Sequence, residues 1–398
     1  MGYRFYVAAL AVAATAFLVD HSEELFGVAL RVAVQVSPYA KAVDAEHPPQ
    51  PEMREAASGK SQRGPALAET LPPSSAGEAE DEAQAGRGET PLRRHCWSPA
   101  ELSGSPREEK SIKGVSARRV PPREEALPPK PKLDGVIRGV IRRVEPGGTA
   151  KPIALTFNLN EQVDEIGGYD GRVVDYLRQQ QVKATFFIGG KWITTHNLRA
   201  RQLMADPLFE IGNHSWIRRD LRKQEEEEAL QAEVEDAERA YQKLRRDYYG
   251  MACVASLEGG AGAALAARMN LFRFPEGACN ARALAAVNDA GLVVVQWDVN
   301  AGDLGRQSEQ KILAFLKPRV RPGSIVQFHA DGSAPQTAEA LHALIPWLRG
   351  DGYRFVTVSE LLLQHGAEPE TTTDCSYRAG TEKQARPRRR DSSWIDSD

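Results

Sequence analysis

The stretch Phe209-Glu-Ile-Gly-Asn-His-Ser-Trp-Ile-Arg-Arg-Asp-Leu221 sets the reading of the whole chain. Its first six residues are an apolar-rich run that ends on a histidine. Beyond Leu221 the pattern changes: Leu230, Val234, Ala237, Tyr241, Leu244 and Tyr248 recur at spacings of three and four, one apolar stripe of a helix predicted over 221–249. Glu225 to Glu228 lie in its first turns and Lys243, Arg245 and Arg246 in its last, which complements the helix dipole, and Gly250 is a stop. A short strand delivering a reactive side chain, then a loop, then an amphipathic helix is the unit from which parallel α/β sheets are built.

The same alternation extends in both directions. Strand-like runs occur at Ile153–Phe157, Ala184–Ile188, Phe209–His214, Leu271–Phe274, Val293–Val299, Ser324–His329 and Arg354–Val358. Helical patterns over Asp170–Gln180, Ala281–Ala290, Ser308–Leu316 and Thr337–Arg349 separate them. Seven strands alternating with helices predict a parallel sheet with helices outside, closed or nearly closed into a barrel, with an open doubly wound sheet as the alternative. No glycine-rich phosphate loop follows the first strand, which argues against a nucleotide site.

The 398 residues are unevenly ordered by composition. Residues 1–19 read as a signal peptide or anchor: Arg4 precedes an apolar run from Phe5 to Val19 that contains Ala14-Thr15-Ala16. The run is shorter than the ~20 residues of a spanning helix, which favours a cleaved signal and export to the periplasm, cell envelope or medium. Leu25 to Val36 is also apolar-rich, but Arg31 interrupts it. Residues 20–134 form a Pro/Ala/Glu-rich linker with too little apolar surface to order itself, apart from a candidate patch at Cys96-Trp97-Ser98-Pro99. The regular domain is placed at 135–366 and a polar tail at 367–398, with Arg386-Pro-Arg-Arg-Arg390 read as a solvated run. The net charge of −3 gives no pull toward nucleic acid, and a membrane is engaged only through the N-terminal segment if that is retained. Export would permit disulfides, and Cys96, Cys253, Cys279 and Cys375 allow three pairings.

In parallel α/β folds the reactive groups gather at the carboxyl ends of strands. Here those ends carry Thr156-Phe-Asn-Leu-Asn-Glu161, His214, Arg273-Phe-Pro-Glu-Gly277, Trp297-Asp-Val-Asn-Ala-Gly-Asp303 and His329-Ala-Asp-Gly332. Polar groups at five of seven strand ends point to a site rather than a core.

The order of these segments resembles the polysaccharide deacetylase family with a NodB homology domain, over about residues 150–363. Thr156-Phe157 resembles the opening of its Thr-Phe-Asp-Asp motif, and Asn213-His214-Ser215 its His-Ser/Thr-x-x-His motif. Arg273 to Gly277 resembles Arg-x-Pro-x-Gly, Trp297 to Asp303 the Trp/Asp motif, and Phe328-His329 the final Leu-x-His. The resemblance implies a distorted (β/α)7 TIM-like barrel that removes acetyl groups from amino sugars of an N-acetylated glycan. It implies a divalent metal, usually zinc, on one aspartate and two histidines. The metal polarises the acetyl carbonyl and activates a water, an aspartate acts as base and a histidine protonates the leaving amine. It gives His329 the role of acid, Asp303 (with Asp298 as the second candidate) that of its tuning partner and Arg273 that of orienting the base. Trp297 and Pro275 would line the substrate pocket, with Tyr169 and Trp192 as further walls or as core.

The other half departs from that pattern. The base position is Asn158, which cannot accept a proton at neutral pH. The aspartate-ligand position is Leu159 and the second histidine-ligand position is Arg218, so of the three metal ligands only His214 remains. The metal is therefore expected to be weak or absent. Glu161 is the candidate substitute ligand, with Asp164, Glu165 and Asp220 behind it; the competing reading pairs Glu161 with Arg218. Three functions stay open: an exported deacetylase-type hydrolase with a variant metal set, a pseudoenzyme of the same fold that binds glycan or a partner, and a C–N hydrolase with a non-carbohydrate substrate.

Overall fold

A computed structural model of the chain describes residues 96–115, 120–123, 126–133, 137–256 and 265–375. The N-terminal apolar run, most of the linker and the Arg386–Arg390 run lie outside the described residues.

The fold is organised around one strand that is buried on both faces. β1 spans Val140–Glu145 and β2 Lys151–Leu159, and every residue of β2 after Lys151 is buried. β3 (Ala184–Ile188) pairs parallel with one edge of β2, from Leu155 opposite Ala184 to Leu159 opposite Ile188. β4 (Phe209–Asn213), β5 (Leu271–Phe272) and β6 (Val293–Val295) follow in parallel order. The chain then bends at Gln296–Asp298 and resumes as β7 (Val299–Asn300), which pairs with β8 (Ile325–His329) instead. β8 pairs with the other edge of β2, and β9 (Tyr353–Phe355) pairs with the start of β2 on the β3 edge, where the Val356 N–H donates to the Ile153 carbonyl. Hydrogen-bonded neighbours thus return to their origin, giving the distorted barrel of seven parallel segments that the alternation predicted.

The helices cover the outside. They are α1 (Gly171–Gln179), α2 (Gly190–Thr195), α3 (Asn197–Met204), α4 (Glu227–Tyr249), α5 (Ala281–Asp289), α6 (Glu309–Leu316), α7 (Thr337–Gly350) and α8 (Val358–Leu362). The stripe read from the sequence is the buried face of α4: Leu230, Val234, Ala237, Tyr241, Leu244 and Tyr248 are all buried. Aromatic rings fill the sheet–helix layer, with Phe157 stacked 5.2 Å from Phe186 and 5.5 Å from Phe328.

Several boundaries differ from the sequence reading, each for a local reason. The strand placed at 293–299 breaks because Asp298 accepts hydrogen bonds from the Ser324 hydroxyl and the Ile325 N–H, both at 2.8 Å. The last strand stops before Val358 because Thr357-Val-Ser-Glu360 is a reciprocal capping box that starts α8. α4 begins at Glu227 after a short 3-10 turn, Leu221–Lys223. β1, absent from the reading, wedges between β6 and the segment before β8: Val140 and Ile141 pair with Val294 and Val295, and Arg143 bridges to Ser324. A further strand, β10 (Glu368–Thr372), pairs antiparallel with β1. Arg143 interrupts the apolar run of β1, yet it is buried, bonded to Glu145, Glu370 and the Pro322 carbonyl.

The packed unit also exceeds the boundaries 135–366 at both ends. Trp97 and Leu102 are buried on the core, and Ser98 caps the short helix Pro99–Leu102. The Arg199 guanidinium grips this segment through the Glu101 and Ser103 carbonyls and a two-pronged bond to Glu108, at 2.8 Å on each prong. The cysteine pairing left open by the sequence is Cys96–Cys253 and Cys279–Cys375, which ties the preceding and the following segment to the barrel.

These bridges span sequence separations of 157 and 96 residues, so each removes much entropy from the unfolded chain. Replacing Cys96 and Cys253 by serine is expected to cost about 2–5 kcal/mol in denaturant unfolding under non-reducing conditions. A loss under about 1 kcal/mol would mean that the 96–113 segment contributes little to the fold.

Candidate functional site

The pairing registers bring the predicted residues to one end of the barrel. His329 lies opposite Asn158, and Asn213 opposite Phe272, so His214 and Arg273 emerge side by side one residue further on. The His214 N–H donates to the Ile188 carbonyl at 3.1 Å and the Arg273 N–H to the Asn213 carbonyl at 2.9 Å, which fixes both at the strand ends.

Arg273 is fully buried and lies at the centre. Its Nε donates to the Val295 carbonyl and its Nη2 to the Gln296 carbonyl. Its Nη1 donates to the Thr156 hydroxyl at 2.8 Å and to the Asn158 side-chain oxygen at 3.2 Å. The guanidinium lies 3.9 Å from the Phe187 ring centre and 5.5 Å from that of Trp297. Trp297 therefore packs on the arginine and is almost wholly buried, and Pro275 is buried at the start of a 3-10 turn. Tyr169 and Trp192 are core residues, with the Trp192 indole N–H given to the Gly168 carbonyl at 2.9 Å.

The carbonyl of Arg273 sits 2.7 Å from His214 Nδ1. A carbonyl only accepts, so Nδ1 carries the proton and Nε2 holds a lone pair. Nε2 is buried and bonded to nothing among the described residues. Burial, then the positive charges of Arg273, His329 and Arg218, lower the His214 pKa to about 3, although the Arg273 carbonyl opposes them. The imidazole is neutral at physiological pH. Ser215, next in the chain, is held at φ 63° by its N–H bond to Asn213 and its hydroxyl bond to the Ile217 carbonyl. Left-handed backbone at a non-glycine residue costs about 1–3 kcal/mol and persists only where neighbours enforce it.

His329 Nδ1 lies 2.9 Å from Asp303, whose other oxygen accepts the His329 N–H and the Thr337 hydroxyl. Burial opposes the charged imidazole, but the charge and hydrogen bond of Asp303 outweigh it, so the His329 pKa is raised. Asp303 is thus the carboxylate paired with His329. Asp298 is not: it is bonded to Ser324 and Ile325, and burial lifts its pKa to about 6 against those bonds.

The proposed replacement ligands do not reach His214. The Glu161 carboxylate is fully buried with the Lys191 ammonium at 3.5 Å, His196 at 3.4 Å and the Thr195 hydroxyl. Lys191 in turn ties the loop by donating to the carbonyls of Gln162, Val163 and Glu165. A buried ammonium demands a carboxylate, and Lys191 claims this one. Nor do Glu161 and Arg218 pair through their side chains: the Arg218 N–H donates to the Glu161 carbonyl at 2.7 Å, while its guanidinium approaches Glu276 at 3.9 Å. Asp220 caps the turn at 221 and binds Arg222. Among the described residues no three His, Cys, Asp or Glu side chains could hold a metal ion.

A divalent metal does not fit these residues. His214 offers one donor where catalytic zinc uses about three protein ligands, Leu159 offers none and Arg218 brings a positive charge. Sequence reading also missed Glu276, held at φ 59° on the rim beside Arg218, although it is the one acid inside Arg273–Gly277. Thr337, the second residue bonded to Asp303, had no signal, because a helix far along the chain supplies it.

The two histidines should titrate apart. His329 contributes stability that is fully present below pH 6.5 and is lost as pH rises through its raised folded value. Neutral His214 contributes stability present above 6.5 that is lost as pH falls toward about 3. In NMR titrations His214 should keep its proton on Nδ1 well below pH 6.5, and Asp303→Asn should bring the His329 value down by about 1–3 units. An unchanged His329 value in that variant would contradict the pairing.

The family described as polysaccharide deacetylase matches residues 146–251. A peptidoglycan-N-acetylglucosamine deacetylase of Bacillus cereus is 28% identical over 215 residues, covering 53% of this chain and 88% of that one. A chitooligosaccharide deacetylase of Bradyrhizobium sp. is 30% identical over 202 residues, covering 48% and 82%. Among solved structures, a CE4 family pseudoenzyme from Bacillus anthracis is 25% identical with a TM-score of 0.44, covering 56% of this chain and 69% of that one. The 30% identity to the Bradyrhizobium enzyme over 82% of its length shows that this chain belongs to the polysaccharide deacetylase family.

Proposed function

We propose that this protein is an exported, metal-independent member of the family that binds an N-acetylated glycan at the barrel mouth without hydrolysing it. The observation that carries the reading is Arg218. Its guanidinium stands where the resemblance implies a metal-ligating histidine, and its positive charge bears on both His214 and His329. A cation there repels the metal that His214 alone would hold weakly.

The two halves of the reaction have fared differently. The His329–Asp303 pair retains the geometry of a proton donor for a leaving amine. Asn158 accepts from Arg273 and offers an amide, which takes no proton from water. A glycan can therefore be held against an acid without a base to raise the nucleophile. The names of the relatives, which act on peptidoglycan and chitooligosaccharide, support a glycan as ligand. Two disulfides among the described residues support an oxidising compartment. Among those residues no helix is long and apolar enough to cross a membrane, so anchoring would rest on the N-terminal segment.

Purified protein should carry zinc, cobalt or nickel far below one equivalent and release no acetate from chitooligosaccharide or peptidoglycan. A stoichiometric metal with acetate release would overturn the reading. Asn158→Asp, Leu159→Asp and Arg218→His combined should bind metal and raise acetate release by about 100-fold or more if the remaining pocket is competent.

A further inference from the structure

We propose that the barrel mouth selects an acidic sugar, its carboxylate on the Arg218 guanidinium and one of its hydroxyls donating to His214 Nε2, beside the buried Arg273. This deepens the metal-independent glycan reading and rests on it. The charges at the site carry the argument. Arg273 is fully buried and cationic, with burial pulling its pKa well down from the ordinary guanidinium value, and its four hydrogen-bonding partners are all neutral: the Thr156 hydroxyl, the Asn158 amide oxygen and the carbonyls of Val295 and Gln296. Its polar contacts are satisfied, but its net charge is not. Because position 158 is an asparagine, the strand end beside it supplies no anion.

A second positive charge, Arg218, is one-third exposed. Among the described residues its side chain meets one acid, Glu276, at 3.9 Å, and Glu276 is itself more than half exposed to solvent. That leaves most of its donor fork open, and this fork matches a carboxylate in shape. The other nearby acids are engaged: Asp303 by His329 and Thr337, Asp331 by the Ser333 hydroxyl and N–H. Nearby, His214 Nε2 is buried without a partner, an acceptor suited to a sugar hydroxyl. Two cations and one orphaned acceptor form a poor seat for a neutral acetamide and a good one for an anionic sugar that also carries hydroxyls.

Sugar carboxylates come from hexuronic acids or from the lactyl ether of N-acetylmuramic acid. Calorimetric titration of the metal-stripped full chain would compare N-acetylmuramic acid, tetragalacturonate, neutral chitotetraose and sodium acetate. One of the two acidic sugars should bind at least about tenfold tighter than chitotetraose, and which one does identifies the source. Arg218→Gln should weaken that binding about tenfold or more. Asn158→Asp, which gives Arg273 a counter-ion, should weaken it likewise. An unshifted melting temperature would confirm that each variant is folded.

Chitotetraose binding as well as the acids, indifference to both substitutions, or no binding of either acid would overturn the inference and leave the metal-independent reading standing. Acetate binding as tightly as the acidic sugars would mean an adventitious ion only and would also overturn it. Stoichiometric metal with acetate release from chitotetraose before stripping would instead overturn the underlying reading.

Discussion

The Arg273 guanidinium is the contact on which the rest of this site depends. It reaches β2 through Thr156 and Asn158, reaches the β6 end and the bend after it through the Val295 and Gln296 carbonyls, and lies on the Phe187 ring of β3. Through its own carbonyl it fixes the tautomer of His214 at the end of β4. One side chain thereby sets the spacing of the strand ends that meet at the barrel mouth. Its fixed planar geometry serves this better than a lysine could, since a single ammonium cannot span four acceptors in a plane. Asparagine at 158 supplies an oxygen that Arg273 bonds, without adding a charge.

Much of this was legible in the sequence, because the barrel is built from short runs that must be apolar on both faces. The strands at 184–188 and 325–329 and the α4 stripe follow from periodicity alone, and parallel topology then places every strand-end group on one side. Partners supplied from far along the chain were not legible. Glu161 looked free because nothing in Asn160-Glu161-Gln162 reveals that Lys191, a helix residue, would be buried against it. β1 was hidden because Arg143 breaks its apolar run, and only Glu145, Glu370 and the Pro322 carbonyl make that burial tolerable. Composition also undervalued the linker. Trp97 is a large apolar residue in a poor neighbourhood, and the Cys96 bridge holds it on the core.

The two sides of the site are unequally supported. The acid side is supported by backbone and side-chain bonds from β8, the loop after β7 and α7, so its geometry is over-determined. The positions that the resemblance assigns to water activation, 158, 159 and 218, carry asparagine, leucine and arginine. Leu159 is fully buried and joins the same core as Phe157 and Phe186. An aspartate there would have to be desolvated, so leucine relieves a cost that only a bound metal would offset.

The two disulfides also define how the barrel would carry tension. For a pull applied to the segments before Cys96 and after Cys375, the shortest covalent route crosses from Cys96 to Cys253, follows the chain to Cys279, and leaves through Cys375. Strands β1 to β4 and β6 to β9 lie off that route and bear little of the load. β5 lies on it, together with Arg273 and Glu276. The loaded span is therefore the one that holds the site's central cation and its rim carboxylate. Stretching the flanks would disturb the surroundings of Arg273 before it opened the rest of the barrel.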